Sequence, residues 1–148
     1  TMLKFKMQWP ALGLSVRCKG CGENEAALKI LIENMPISAV QGHEMVGGWM
    51  LRDRSVLMNK RVFDIPAVEL SQEVMKDAPV GRVSLLFPQG TMTEVLVKYD
   101  ECKDSRSYVP VAEVANEDIE TLKKVGHLQW KSATRTKEIY TVEFVAEE

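Results

Sequence analysis

The chain contains no uninterrupted apolar run near the roughly 20 residues that a membrane-spanning helix requires. It also lacks the basic stretch, apolar segment and small residues that together form a secretory leader. These absences predict a cytoplasmic protein that does not interact with membranes.

Cysteine is scarce, because the chain has only three and an odd number does not form a complete disulfide framework. Free thiols in a reducing compartment are therefore expected, with no bound metal and no cofactor. Cys18 and Cys21 nevertheless have the spacing of a zinc knuckle or a redox pair, so a zinc or thiol-redox protein stays open as an alternative. A zinc site would need further ligands, and the remaining candidates are Cys102, His43 and His127.

Charge of one sign is not concentrated anywhere along the chain. The formal net charge is -2, with 19 basic and 21 acidic residues intermixed. No positive run is long enough to neutralise a phosphate backbone, so we expect no nucleic-acid partner. The sequence also has no Ser-His-Asp order, phosphate-binding loop or dinucleotide fingerprint, and it identifies no residue as catalytic.

Alternation of apolar and polar residues is the main pattern that is present, and its period of two predicts β-strands with one side in a core. Residues 81–90 read Gly-Arg-Val-Ser-Leu-Leu-Phe-Pro-Gln-Gly, a turn, a strand and a break, and a second strand at 94–99 predicts an antiparallel pair. Other strands are expected at residues 2–7, 12–18, 37–44, 48–51, 55–57, 109–114 and 138–145, with Gly47 and Gly48 as a turn.

Helical spacing of apolar residues occurs in two places. The first predicted helix has Asn24 as its N-cap and ends at Pro36, and the second has Asn116 as its N-cap. Gly126 is a candidate end for the second helix, although Leu128 and Trp130 continue its apolar face; His127 lies just past the helix, where it would act on the helix dipole. The apolar faces of the two predicted helices are Ala27, Leu28, Leu31 and Ile32, and Ile119, Leu122 and Val125. A long loop is expected over residues 62–78, with one helical turn near 70–75.

The order of these elements resembles that of the cyclophilin family, including small prokaryotic cyclophilin-like proteins whose function is not settled. The likeness rests on the helix ending at Pro36, the pair at 37–51, the turn, strand and break at 81–90, the strand at 109–114 and the helix at 119–124. The resemblance implies a mainly β fold, a closed β-barrel of about eight strands with two capping α-helices. It covers most of the chain, which we expect to form a single domain over residues 1–148.

The chain departs from that family where its prolyl isomerases carry a catalytic arginine. Their Phe-His-Arg motif supplies a guanidinium beside the prolyl amide, whereas residues 39–43 here read Ala-Val-Gln-Gly-His. The barrier to cis–trans rotation about a peptide bond is about 18 to 20 kcal/mol, and an enzyme lowers it only through interactions with the twisted amide of the transition state. The departure predicts that efficient isomerase activity is absent, although a degenerate isomerase using Arg52 or Arg54 stays open as an alternative.

The leading functional hypothesis is a module that binds a small molecule or peptide. His43 lies beside Glu44 and near Trp49, and an imidazole beside a carboxylate is suited to hydrogen bonding or general-base work. Pocket-lining candidates on the strands are Trp49, Met50, Phe87 and Tyr99. We expect the binding groove to be formed by His43, Trp49, Arg52, Phe87 and Gln89.

Overall fold

The computed structural model of the chain describes residues 2–56, 69–86 and 94–147, with the side chains of residues 54–56 outside that description. Nine β-strands lie within the described residues. They are β1 (Lys4–Trp9), β2 (Leu14–Gly20), β3 (Ile37–His43), β4 (Gly48–Val56), β5 (Glu73–Val74), β6 (Arg82–Leu86), β7 (Glu94–Cys102), β8 (Ser107–Val114) and β9 (Tyr140–Glu147).

Eight of the nine strands close into an antiparallel barrel. Their hydrogen-bonded order is β2, β1, β9, β3, β4, β7, β6, β8, and β8 pairs back with β2, placing Cys18 opposite Val114. The short β5 pairs with β8 outside this ring. The predicted fold class, a mainly β closed barrel with two α-helices, is therefore confirmed.

Alternation along the strands decides which side chains fill the barrel. In β1, Phe5, Met7 and Trp9 are fully buried, while the residues between them stay accessible. Tyr99 of β7 and Phe144 of β9 join the same core. Burying an apolar side chain of this size contributes about 1.5–3 kcal/mol, so the apolar half of each alternation specifies the inner side of the wall.

Two α-helices lie across the barrel. α1 (Glu25–Glu33) contacts β8 and β9, and α2 (Ile119–Lys131) contacts β2, β3, β4 and β7. Because β2 and β4 lie on opposite walls of the ring, α2 crosses its mouth. The buried positions agree with the predicted apolar faces and include Ala27, Leu28 and Leu31 in α1 and Leu122 and Val125 in α2. In the described part of the chain, neither helix is long and apolar enough to cross a membrane.

Neither predicted N-cap forms a capping bond. Asn24 precedes α1 in a left-handed conformation, with φ of 53°. Its Oδ1, the atom that a side-chain cap would use, accepts instead the backbone N–H of Ser71 at 2.9 Å, and its Nδ2 donates to the carbonyl oxygen of Pro110 at 2.8 Å. Asn116 begins a 3-10 turn before α2, again without a side-chain cap. Asn24 therefore lies at the N-cap of α1, as predicted, but its side-chain oxygen is engaged by a tertiary partner, Ser71, and not by the first turn of the helix.

Gly126 does not end the second helix, so the continued apolar face at Leu128 and Trp130 was the correct indication of where the helix runs. α2 continues to Lys131, so His127 and Trp130 lie within it. A Cβ at position 126 would lie 2.4 Å from ring carbons of Tyr99. Gly126 therefore marks a close contact between α2 and β7, and packing of the Tyr99 ring against bare backbone offsets the low helix propensity of glycine.

Two other boundaries differ from the predictions. β4 is one continuous strand, whereas the sequence predicts separate pieces at 48–51 and 55–57, of which residue 57 lies outside the described residues. The expected helical turn near 70–75 is replaced by β5 and a 3-10 turn at Met75–Asp77. The buried Lys98 ammonium holds that turn by donating to the carbonyl oxygens of Met75, Lys76 and Ala78. Residues 62–68 of the predicted loop lie outside the described residues.

Candidate functional site at the barrel mouth

The structure brings together two of the five predicted groove residues. The rings of His43 and Trp49 lie 6.0 Å apart, edge to face, where β3 ends and β4 begins. Arg52 lies on the outer face of the wall, because its neighbour Leu51 packs into the core and successive strand side chains alternate. Phe87 and Gln89 lie outside the described residues.

The turn between β3 and β4 depends on two glycines. Gly47 and Gly48 have φ of 99° and 120°, a conformation that other residues rarely adopt. A Cβ on Gly48 would lie 2.9 Å from the Cα of Cys102. The carbonyl oxygen of Gly47 accepts the backbone N–H of Lys103 at 2.6 Å. The hairpin turn is therefore held directly against the end of β7.

Five rings from three strands and α2 form a cluster at the barrel mouth, which we name the mouth cluster. Its members are His43, Trp49, Tyr99, His127 and Trp130. The ring centre of Trp130 lies 4.7 Å from that of His43 and 5.8 Å from that of Trp49, and the ring centres of His127 and Tyr99 are 5.5 Å apart. His43 and Tyr99 are buried beneath the others, whereas Trp49 keeps 37% of its surface exposed. The cluster thus fixes the orientation of an exposed indole.

Hydrogen bonds determine where the proton of His43 lies. Its Nδ1 is 2.6 Å from the backbone carbonyl oxygen of Glu44, which only accepts, so Nδ1 carries the proton. Nε2 then accepts from the Tyr99 hydroxyl at 2.6 Å. The pKa of His43 is lowered overall, chiefly because its ring is buried. Glu44 acts to raise this pKa and His127 acts to lower it, but burial has the largest effect. Burial also raises the pKa of Tyr99, so both groups are neutral near pH 7.

Arg52 is engaged by carboxylates on two sides. Its Nη1 donates to Glu44 Oε2 and its Nε donates to Glu94 Oε2, each at 2.8 Å, and Nη2 also bonds Glu94. Burial acts to lower the pKa of Arg52, but the bonds to Glu94 and Glu44 outweigh it and raise that pKa. A ligand would have to displace a carboxylate to reach this guanidinium. The side chain of Arg54 lies outside the described residues.

An open cavity of about 560 Å³ lies beside Trp49. Its volume falls within the range of about 300–1,000 Å³ that is usual for small-molecule sites. A neighbouring depression of about 440 Å³ shares Gly47 and Lys103 with it and extends from Val46 to Arg106. The residues lining the cavity are Gly47, Gly48, Trp49, Glu101, Cys102 and Lys103.

A buried polar pair lies in the wall between β3 and β4. Gln41 Oε1 accepts from Trp9 Nε1 at 2.6 Å and from Gln129 Nε2 at 3.1 Å, so its own Nε2 is turned toward Asp53, the residue opposite it in the ladder. Neither that Nε2 nor either carboxyl oxygen of Asp53 has a partner within hydrogen-bond distance. Burial raises the pKa of Asp53 well above its ordinary value, the Gln41 amide acts against this, and the charge of Glu94 adds to it.

Sequence reasoning missed this pair and part of the mouth cluster. Strand alternation contains a signal for the pair, because Gln41 and Asp53 are in phase with the core positions Ala39 and Leu51. His127 was expected beyond the helix, where it would act on the helix dipole. Helical spacing offers the signal here, since His127 and Trp130 are three residues apart and share one face of α2.

Cys18 and Cys21, the pair with zinc-knuckle spacing, have different environments in the structure. Cys18 is buried in the core, and burial raises the pKa of its thiol, the opposite of what redox chemistry requires. Cys21 is partly exposed, and its Sγ lies 4.0 Å from the carbonyl oxygen of Glu23. Over the described residues, no group of three or more metal-binding side chains comes together.

These environments predict selective alkylation. In the folded protein we expect iodoacetamide to modify Cys21 at least about tenfold faster than Cys18 or Cys102, because the latter two are buried. Peptide mass spectrometry after timed labelling measures the rates, with urea-unfolded protein as the control in which all three react alike. Rapid modification of Cys18 under native conditions would contradict its placement in the core.

Comparisons with known proteins identify a shared fold. No protein-family model matches the chain, and no curated protein matches it. The solved structure of McbB in complex with tryptophan matches 95% of this chain with a TM-score of 0.81 and 24% sequence identity. The match covers 44% of the McbB chain, so this chain spans less than half the length of that protein. The resemblance to cyclophilins stays a prediction, and the chain has the barrel fold found within McbB.

Proposed function

We propose that this protein binds a small molecule carrying an aromatic ring in the cavity beside Trp49. The observation that carries the proposal is the partly exposed indole of Trp49. It lines the cavity together with Gly47 and Gly48, and it packs against Tyr99 and Trp130 of the mouth cluster. Such a surface offers a flat apolar contact and bare backbone at close range. Both features favour a small planar ligand.

Rigidity of the site supports this proposal. Trp49 packs against Trp130 and Tyr99, and Tyr99 is in turn bonded to His43. A side chain that is already ordered loses little conformational entropy when a ligand binds, so more of the contact energy appears as affinity. His43 acts in this arrangement as a positioning residue, since its ring is buried and its two nitrogens are engaged.

The position of Arg52 favours binding over prolyl isomerisation. We propose that the chain is a cyclophilin-like barrel without efficient isomerase activity, because the guanidinium lies on the outer face and is engaged by Glu44 and Glu94. An isomerase needs a free donor near the prolyl nitrogen. A protease-coupled proline-peptide assay that showed clear acceleration, lost in Arg52→Ala, would reverse this preference.

L-Tryptophan is the first probe to test, since the McbB structure of the same fold holds it. In a two-dimensional NMR titration we expect the backbone amides of Gly47, Gly48 and Lys103 and the indole N–H of Trp49 to shift together. Trp49→Ala should weaken binding at least about tenfold through loss of the aromatic contact. Indole as a second probe reports the aromatic contribution alone.

Val40→Ala is the matched control, because Val40 is about as exposed as Trp49 and lies away from the cavity. Its affinity for either probe should equal that of the unaltered protein. Shifts that cluster around Val40, or equal binding by Trp49→Ala, would show that the site lies elsewhere.

A further inference from the structure

The tip of the β3–β4 hairpin presents apolar side chains to solvent. Met45 and Val46 are 57% and 76% exposed, and Trp49 follows them across the turn of Gly47 and Gly48 and is 37% exposed. Exposed apolar side chains that lie close together on a surface are a common feature of protein–protein contacts. Glu101 and Lys103 border the same surface across the cavity. We name these five residues the hairpin patch.

Charge makes the hairpin patch complementary to itself. Glu101 and Lys103 flank Cys102 at the end of β7, both are exposed, and neither forms an ion pair with another described residue. If two copies meet about a twofold axis near Cys102, Glu101 of each copy faces Lys103 of the other. A contact between identical surfaces requires this kind of self-complementarity.

We propose that two copies of this chain associate through the hairpin patch. Met45, Val46 and Trp49 of each copy pack across the axis, and two Glu101–Lys103 pairs form beside them. The turn is already fixed against β7 by the bond between Gly47 and Lys103, so the surface is formed before association. This interface goes beyond the proposed ligand, but it shares Trp49 with the ligand site, so a bound ligand and a second copy compete for that side chain.

Sedimentation velocity over an about hundredfold range of protein concentration tests the interface, because a dimer of this kind depends on concentration. We expect a reversible monomer–dimer equilibrium. Val46→Asp should weaken association at least about tenfold, since the twofold axis places the new charge in the contact twice. Ile139→Asp is the matched control, because Ile139 is 75% exposed and lies outside the patch, and its equilibrium should be unchanged. A monomer at every concentration, or an equal effect of both substitutions, overturns the proposal.

Charge reversal provides a second test on exposed positions that leaves the fold intact. Lys103→Glu places carboxylates opposite each other and should weaken association, whereas adding Glu101→Lys to the same chain restores both pairs. Recovery of the dimer in the double variant supports the proposed axis, and no recovery overturns it. Tryptophan titration of Val46→Asp separates the two proposals, because Val46 does not line the cavity beside Trp49. The monomeric variant should still bind tryptophan if the ligand proposal is correct, and absence of binding in this monomer would count against the ligand alone.

Discussion

Asp53→Asn is expected to stabilise the protein at neutral pH and to flatten the pH dependence of its unfolding free energy. The Asp53 carboxyl is fully buried without a hydrogen-bond partner, so burial raises its pKa well above that of the unfolded chain. The stabilising contribution of the protonated carboxyl is complete below the pKa that Asp53 has in the unfolded chain. It is lost as pH rises from there toward the pKa of Asp53 in the folded protein, by about 1.4 kcal/mol per pH unit. Asparagine has the same shape and does not ionise, so it removes this loss.

Urea denaturation between about pH 4 and pH 8 measures the effect. Asp104→Asn is the matched control with the opposite sign. Burial acts to raise the pKa of Asp104, but bonds from Arg106 and Tyr108 lower it overall. Its stabilisation is therefore present above the unfolded pKa and is lost as pH falls, so Asp104→Asn should destabilise the protein at neutral pH. An Asp53→Asn profile parallel to that of the unaltered protein would show that Asp53 is charged in the fold.

Gly126→Ala is expected to lower the free energy of unfolding by about 2 kcal/mol. The new methyl group would lie 2.4–2.5 Å from three ring carbons of Tyr99, and overpacking of this kind costs about 1–3 kcal/mol or more, partly offset by the better helix propensity of alanine. The Tyr99 ring cannot move away freely, because its hydroxyl is bonded to the buried His43. Thermal unfolding followed by circular dichroism, together with urea denaturation, checks the size of the loss.

A double-mutant cycle assigns that loss to the ring. In a Tyr99→Leu background the flat ring is absent, so adding Gly126→Ala should cost little. Lys124→Ala, at an exposed position of the same helix, controls for helix propensity and should change stability by less than about 0.5 kcal/mol. An undiminished cost of Gly126→Ala without the Tyr99 ring would mean that the contact between α2 and β7 is not its cause.

Much of the secondary structure follows from local pattern. The period of two over Phe5, Met7 and Trp9 identifies β1, and helical spacing over Leu28 and Leu31 identifies α1. These elements are predictable because the spacing of apolar residues, which marks the face to be buried, is a local property of the sequence. The same period of two places Arg52 on the face opposite Leu51. The predicted groove, which combined Trp49 and Arg52, did not take this alternation into account.

The site depends on residues that only the folded chain brings together. His43 and Tyr99 are 56 positions apart, and Gln41 and Gln129 are 88 apart, yet both pairs are hydrogen-bonded. No local pattern specifies such pairs, because they require closure of the barrel and passage of α2 across its mouth. Gly126 shows the same dependence, since a residue that usually ends a helix stays helical where Tyr99 packs against it.

The amino-acid sequence by itself determined the antiparallel strands, the two helices and the mainly β class, because apolar periodicity records which side of each element is buried. Tertiary structure alone decided that Trp49 stands beside a cavity, that Arg52 is engaged on the outer wall and that Asp53 is enclosed without a partner. The physical reason is that cavities, ion pairs and burial of charge depend on which distant segments become neighbours, and barrel closure sets those neighbours only once the chain has folded.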